Sequence, residues 1–441
     1  MSDNLNTKSA SYLKHESQIK ITQDIFNGSD TANNYLRKFP KEDSIPYKER
    51  QEDSALDNFV FSTVDTIKNI IFRKPIITTN VTNNGVKEWI KAINFQQNIN
   101  EFAKKLLISR IRDGKTYILI DRMSFNANET LNGAQQTDNE KRPYFINIFR
   151  ENLLDTEYDL FGNFSRVNIR EFYTEKSGKF GVETKEQIRV WHQNGLVEIY
   201  RANELFSTIQ TSLKEIPLVE IGSDDIPPLY DQAKLNIQHL NRNSECSNYV
   251  RVGASPFLAV YGNIETGNDQ KTPPTLGINS GLKFTDKQSS GVEWVEMTGA
   301  NFEIINSEIT KIADMMIRKT VELVSSTNIK TATQIEKEST EGESKLNDYA
   351  TELEAGINKA LEFMQFFSEA ALGENLITVN KDFNNSILSP EAANSYRMDY
   401  MQGIITIDQL WALYEAGEYL PLTDDKEKST NKTLLKDSGI E

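Results

Sequence analysis

The spacing of apolar and polar positions changes period three times along the chain. From Tyr35 to Asp113 it is helical. Phe59, Val60, Val64, Ile67 and Ile71 recur at short helical steps until Arg73-Lys74-Pro75 stops them. Ile99, Phe102, Ala103, Leu106 and Leu107 repeat the pattern up to Asp113-Gly114. From Lys115 to Ile221, short runs rich in Ile, Val, Tyr and Phe predict strands over 116–121, 144–149, 166–174, 187–192, 196–201 and 217–221. Asn194-Gly195, between two of these runs, predicts a tight hairpin.

Asp225-Ile226-Pro227-Pro228 then opens a helix reaching about Val250. A stretch punctuated by Gly and Pro follows to Gly299, with short strands at 257–261 and 292–297, and reads as a compact module inserted between helices. From Phe302 to Ala371 there is no proline, and Gly342 and Gly356 are the only glycines. Phe302, Ile305, Ile309, Ile312, Met316 and Leu323 predict a returning helix, with Lys319 in one apolar seat. Ser325-Ser326-Thr327-Asn328 interrupt it, because small polar side chains compete for backbone hydrogen bonds. Leu346, Tyr349, Leu353, Ile357, Ala360, Met364 and Phe367 resume the period, whereas 335–345 is polar all round and must be solvated or lie in a partner's groove. A helix over 333–371 is ~58 Å long at ~1.5 Å per residue, a length that spans assemblies more often than it closes a small globule. Ser389-Pro390-Glu391 and Thr406-Ile407-Asp408 mark two further helix starts. Met1 to Gln23 reads as loose, in a flexible arm extending to residue 34, and Thr423 to Glu441 reads as a frayed tail. The expected class is α+β.

Composition narrows the function. Lys and Arg total 49 against 64 Asp and Glu, a formal net charge of −15. That balance argues against gripping nucleic acid by its phosphates, which needs basic patches, but not against letting DNA pass. A single cysteine, Cys246, allows neither an intrachain disulfide nor a thiolate-rich zinc site. The sequence has no apolar run of the kind a secretory signal or a membrane span requires, so no membrane association is expected.

Candidate chemistry is sparse. Asp113-Gly114-Lys115-Thr116 ends like a phosphate-binding loop, but Ser109 stands where that loop needs its first glycine, and a strand follows where it needs a helix. A plain helix-to-strand turn is expected. His15, His192 and His239 are scattered; His239 and Cys246 share a helix face at a spacing suited to packing rather than to metal. Asp224-Asp225 favour the N-terminus of the helix that follows, and Glu336, Glu338, Glu341 and Glu343 form a charged face of the solvated kind. No catalytic residue, cofactor site or metal site is expected.

Several segments resemble portal proteins of tailed bacteriophages. They are 35–40 (YLRKFP) with 47–50 (YKER), 71–75 (IFRKP), 142–145 (RPYF) with 151–154 (ENLL), Pro227-Pro228-Leu229 followed by 235–237 (LNI) and His239, and 331–334 (TATQ) before the acidic helix. The resemblance covers roughly 35–371. It implies a wing over 35–226, a stem helix over 227–250, a clip module over 251–299, a returning stem helix over 300–325, a tunnel loop over 326–331, a long wing helix over 332–372 and a helical crown over 373–422. It also implies a ring, commonly a dodecamer, at one capsid vertex of the virion, assembled in the host cytoplasm. Through that ring the terminase large subunit pumps double-stranded DNA, which is retained and later released to the tail. Capsid and scaffolding proteins and a head–tail adaptor are the other implied partners. The tunnel-loop residues would be Ser326, Thr327, Asn328, Ile329, Lys330 and Thr331, with Lys330 nearest the DNA; Phe257, Tyr261, Phe284 and Trp294 would assemble the clip between copies. Two alternatives stay open: a different ring-forming head–tail protein such as an adaptor, and a metal-dependent enzyme using the acidic helical face.

Overall fold

In the computed structural model the described residues are 5–78, 84–122, 142–211, 213–253, 257–261, 291–295, 300–324, 332–365, 376–381, 383 and 390–416. The chain divides into two compact units, Met1–Lys381 and Asp382–Glu441.

The first unit opens on helix, not on a loose arm. α1 (Ala10–Asn27) is capped by the Ser9 hydroxyl and buries Tyr12, Ile19, Thr22 and Ile25. Over its described residues the expected arm of 1–34 is therefore corrected: α1 and the short α2 (Ser29–Ala32) pack into the body. Helices α3 (Ser44–Asp53) and α4 (Phe59–Ile71), a short strand β1 (Ile77–Thr78), α5 (Asn84–Lys91) and α6 (Ile99–Asp113) follow. The apolar periods anticipated α4 and α6.

The strands come next: β2 (Thr116–Arg122), β3 (Pro143–Phe149), β4 (Leu153–Tyr158), β5 (Phe164–Ser177), β6 (Gly181–His192), β7 (Leu196–Arg201), β8 (Glu204–Gln210) and β9 (Leu218–Ile221). They form two antiparallel sheets, β3-β2-β9 and the meander β4-β5-β6-β7-β8. Tyr117 and Leu119 of β2 join Val167, Ile169, Trp191 and Val197 of the meander in one buried cluster. Alternation turns Ile118 and Ile120 to the opposite face, where α6 packs. β2 is thus buried on both sides, which explains its nearly unbroken apolar run. The far face of the meander buries Leu154, Ile188 and Val190 beneath Leu5 and Tyr200.

The chain continues through α7 (Tyr230–Gly253), β10 (Phe257–Tyr261), β11 (Gly291–Val295), α8 (Ala300–Val324), α9 (Ala332–Gln365) and β12 (Ile377–Thr378). α9 packs on β2 and β9. At Gly356 the approach to Ile221 is so close that an added Cβ would stand 2.6 Å from Ile221 Cγ1. β12 pairs antiparallel with β1, and the Asn358 amide of α9 bonds both the N–H and the C=O of Ile377. Residues 376–381 therefore belong to the body and not to the crown expected from 373. In the second unit, α10 (Pro390–Met401) and α11 (Ile407–Ala416) begin where expected and are joined by the Tyr414 hydroxyl donating to Ala393 O at 3.0 Å.

α3 has no buried residue and is held by polar contacts instead. Arg50 donates to both carboxylate oxygens of Glu42 (2.9 and 2.8 Å), to Arg37 O (2.6 Å) and to Ser244 Oγ of α7 (2.9 Å), and stacks 4.0 Å from the centre of the Phe39 ring. The Arg50 hydrogen bond holds the Glu42 carboxyl below its usual range.

Two outcomes follow. Gly356→Ala should cost about 1–3 kcal/mol by overpacking, partly offset by helix propensity, and Ile221→Ala in the same chain should recover part of the loss; denaturant titrations of the four-member cycle measure the coupling. Because Glu42 has a depressed folded pKa, its stabilisation is complete above the ordinary glutamate range and is lost as pH falls through the folded value. Glu42→Gln should flatten the acid limb of stability, below the pH at which an ordinary glutamate titrates, relative to wild type, read as urea midpoints.

Candidate functional site

Residues 230–324 contain a helical hairpin whose two helices are separated in sequence by a pair of strands. Gln232 of α7 meets Thr320 of α8 at 3.1 Å, and Arg242 of α7 meets Glu308 of α8 at 3.1 Å. As residue numbers rise on one helix they fall on the other, so α7 and α8 run antiparallel. Between them in sequence, β10 and β11 pair antiparallel from Phe257↔Val295 to Tyr261↔Gly291. Tyr261 is exposed, and its hydroxyl donates to Glu293 Oε2 at 3.2 Å, which raises the Tyr261 pKa.

The inner face of α7 is polar, and several of its side chains bond across to neighbouring segments, although the buried Gln232 Oε1 accepts no hydrogen bond. Gln232 Nε2 donates to Thr63 Oγ1 of α4 (2.8 Å) and to Thr320 Oγ1, and the two hydroxyls stand 2.7 Å apart. One turn on, fully buried Asn236 accepts from the N–H groups of Phe59 and Val60 (3.0 and 3.4 Å) and donates to Asp57 O (2.8 Å). It thereby supplies an acceptor to the first amides of α4, of which Phe59 N–H also donates to Asp57 O at 3.0 Å. Asn241 accepts from the Arg37 N–H at 2.8 Å and donates to Tyr35 O at 3.2 Å. These contacts root the hairpin in α4 and in the chain around α3.

A second anchor ties α9 to the sheet. The Arg110 side chain, only 4% exposed, pairs with Glu352 of α9 (2.8 Å) and with Asp224 ahead of α7 (2.9 Å), and lies 5.3 Å from the Tyr349 ring. Burial lowers the Arg110 pKa, but Glu352 and Asp224 outweigh it and the net direction is up. Asp225 pairs with Lys115 at 3.1 Å. Asp224 and Asp225 thus bind basic groups of the body, a more specific role than the helix-end preference read from sequence.

The Gly-Lys-Thr run is the turn it was expected to be. Gly114 caps α6 at φ +83°, and Thr116 starts β2. The Lys115 amine faces Glu220 (3.3 Å) and Asp225. Burial lowers its pKa, yet these carboxylates raise it further. His239 is buried edge-on to Phe59, at 79° and 5.5 Å, and burial holds its pKa down against the opposing pull of Asp57. Cys246 is half-buried on the same helix.

The proposed tunnel-loop residues Ser326, Thr327, Asn328, Ile329, Lys330 and Thr331 lie outside the described residues, as does Phe284. Phe257 and Trp294 are placed on β10 and β11, offset by one register position, with only their backbones described. The side chains of Glu336, Glu338, Glu341 and Glu343 on α9 are likewise outside the description. Among the described residues no group of three or more His, Cys, Asp or Glu could hold a metal ion, and no helix is long and apolar enough to cross a membrane. The polar seats of α7 were missed by sequence reading; their one signal was Gln, Asn and Ser recurring at helical spacing, as at Gln232, Asn236 and Ser244.

A family described as a domain of unknown function (DUF4055) matches residues 228–368, the span from just before α7 into the chain beyond α9. No curated protein matches the chain. Among solved structures it is similar to a chain in the neck of an empty gene transfer agent particle, computed with C6 symmetry, at 13% identity and a TM-score of 0.45, over 88% of this chain and 96% of the other. A chain in the virion of a native gene transfer agent particle matches at 13% identity and 0.40, over 84% and 89%. A chain in the neck of a native particle, computed with C12 symmetry, matches at 13% identity and 0.39, over 83% and 90%.

Proposed function

We propose that the chain is the ring-forming portal subunit of a tailed-phage-like particle. One observation carries the reading: α7 and α8 form an antiparallel hairpin, β10 and β11 pair between them in sequence, and α9 follows and returns to the sheet of β2 and β9. That order is the one the sequence resemblance implies for stem, clip, stem and wing helix. The ring stands at one capsid vertex of the virion. Its partners are further copies of itself, the terminase large subunit, capsid and scaffolding proteins, an adaptor and double-stranded DNA that passes without being read. The ring is not an enzyme. An acidic wall suits passage, since it repels phosphates, and with a screening length of ~8 Å only charges lining the bore act on the duplex.

The strands β10 and β11 leave their outer edges for neighbouring copies, because a two-stranded sheet is marginal by itself. The segment 326–331 faces the bore in this reading. Lys330 gives the moving duplex one weak, screened phosphate contact per copy.

Native mass measurement of the purified 50.3 kDa chain should give a ring, about 600 kDa for a dodecamer, with a central hole in negative stain. A monomer at all concentrations would overturn the reading. Lys330→Ala should leave ring formation intact and change DNA packaging or retention most at low salt. If rings carrying it package and retain DNA as wild type does at every salt concentration, the segment has no electrostatic part in translocation.

A further inference from the structure

The turn between β4 and β5 carries two consecutive, large apolar side chains in open solvent: Leu160 at 101% and Phe161 at 90% exposure. A single exposed apolar residue is ordinary, but this pair is held out by a built turn. The Asp159 carboxylate accepts from the N–H groups of Phe161 (2.9 Å) and Asn163 (2.8 Å), from the Asn163 amide (3.2 Å) and from Gln193 Nε2 (3.2 Å). Asp159 N–H donates to Asn163 O at 2.9 Å, and the rings of Tyr158 and Phe164 pack 5.1 Å apart behind the tip. A turn already ordered loses little conformational freedom when it docks. Its surroundings are acidic: Asp155, Glu157 and Asp159 stand against Arg166, which pairs with the first two at 2.8 and 2.9 Å.

Elsewhere in the same unit a groove of about 440 Å³ lies between α7 and α8. Ile237, Ile312 and Met315 supply its apolar lining, and Arg37, Arg242 and Lys311 its cationic groups. Arg242 already holds the two carboxylates of the lining, Glu245 (2.6 Å) and Glu308 (3.1 Å), so the balance stays positive.

We propose that the Leu160–Phe161 turn of one copy docks into the α7–α8 groove of the next. The acidic, apolar projection and the cationic, apolar-lined groove are complementary in charge and in polarity. They lie on different surfaces of one chain, so the contact is head-to-tail, the kind that closes into a ring. The inference rests on the ring reading above and adds which surfaces meet.

Pairing Phe161→Cys with Met315→Cys in a Cys246→Ser background tests it. Mild oxidation of the assembled protein should give a ladder of covalent multimers on a non-reducing gel, and either cysteine alone should give no ladder. Separately, Leu160→Ser with Phe161→Ser should raise the concentration at which rings dissociate about tenfold or more, as loss of two buried apolar contacts implies. Thermal melting of the subunit should change little, because both side chains are exposed in it. Rings that form without a ladder, or that dissociate at the wild-type concentration despite the double serine substitution, overturn the docking while the ring reading stands. A wild-type chain that never leaves the monomer overturns both.

Discussion

A guanidinium removed from water must find carboxylates, and Arg110 finds them on two other segments. Its side chain is almost wholly buried, so an unpaired charge there would cost several kcal/mol. Glu352 can answer it only if α9 lies against α6, and Asp224 only if the chain leaving β9 turns beside it. The close contact of Gly356 with Ile221 lies one helical turn beyond Glu352 on the same helix. Charge pairing and shape therefore fix one docking of α9 on the sheet. Neither would do so alone: apolar packing tolerates sliding, and an ion pair tolerates tilt.

The root of the helical hairpin follows the same logic in neutral form. A helix with an apolar inner face can settle in several registers, because its contacts are not directional. The Gln232 amide nitrogen and both ends of the Asn236 amide meet their partners in one register only. Shifting α7 by one residue would take the Asn236 acceptor from the buried Val60 N–H, at roughly the 1–3 kcal/mol cost of an unsatisfied buried donor. Buried amides here select an alignment more than they add net stability.

This division explains what the sequence revealed. α4, α6 and α8 were legible because their buried faces are apolar and regularly spaced, and β2 because both its faces are buried. α1 was hidden: Tyr12, Ile19, Thr22 and Ile25 are sparse among Lys, Gln and Ser, and one of them is polar. α3 was not called as a separate helix, having no buried side and resting on Arg50. β4 and β8 mix apolar residues with Asp, Thr, Glu, Ser and Gln at the edges of the meander, so alternation is weak. For the site, the order of helix, strands, helix and long helix was legible, while the polar seats of α7 were not, because periodicity arguments count apolar residues. Arg110 was invisible for a related reason: its partners lie about 110 and 240 positions away, and a single Arg in a helix gives no sign of burial.

A chain with a net charge of −15 also constrains how copies can meet. Like-charged subunits repel at long range, but at physiological salt that repulsion fades within ~8 Å. Association must then come from contacts shorter than this: apolar surface removed from water and charges paired locally. The described surface offers both. Ile304, Ile317 and Val321 of α8 are exposed, as are Leu160 and Phe161 at the tip of the meander, while Arg37 and Lys311 stand as cationic points on an acidic molecule. Apolar surface flanked by acidic groups at the meander tip and by basic groups at the α7–α8 groove favours a few short-range contacts over other approaches.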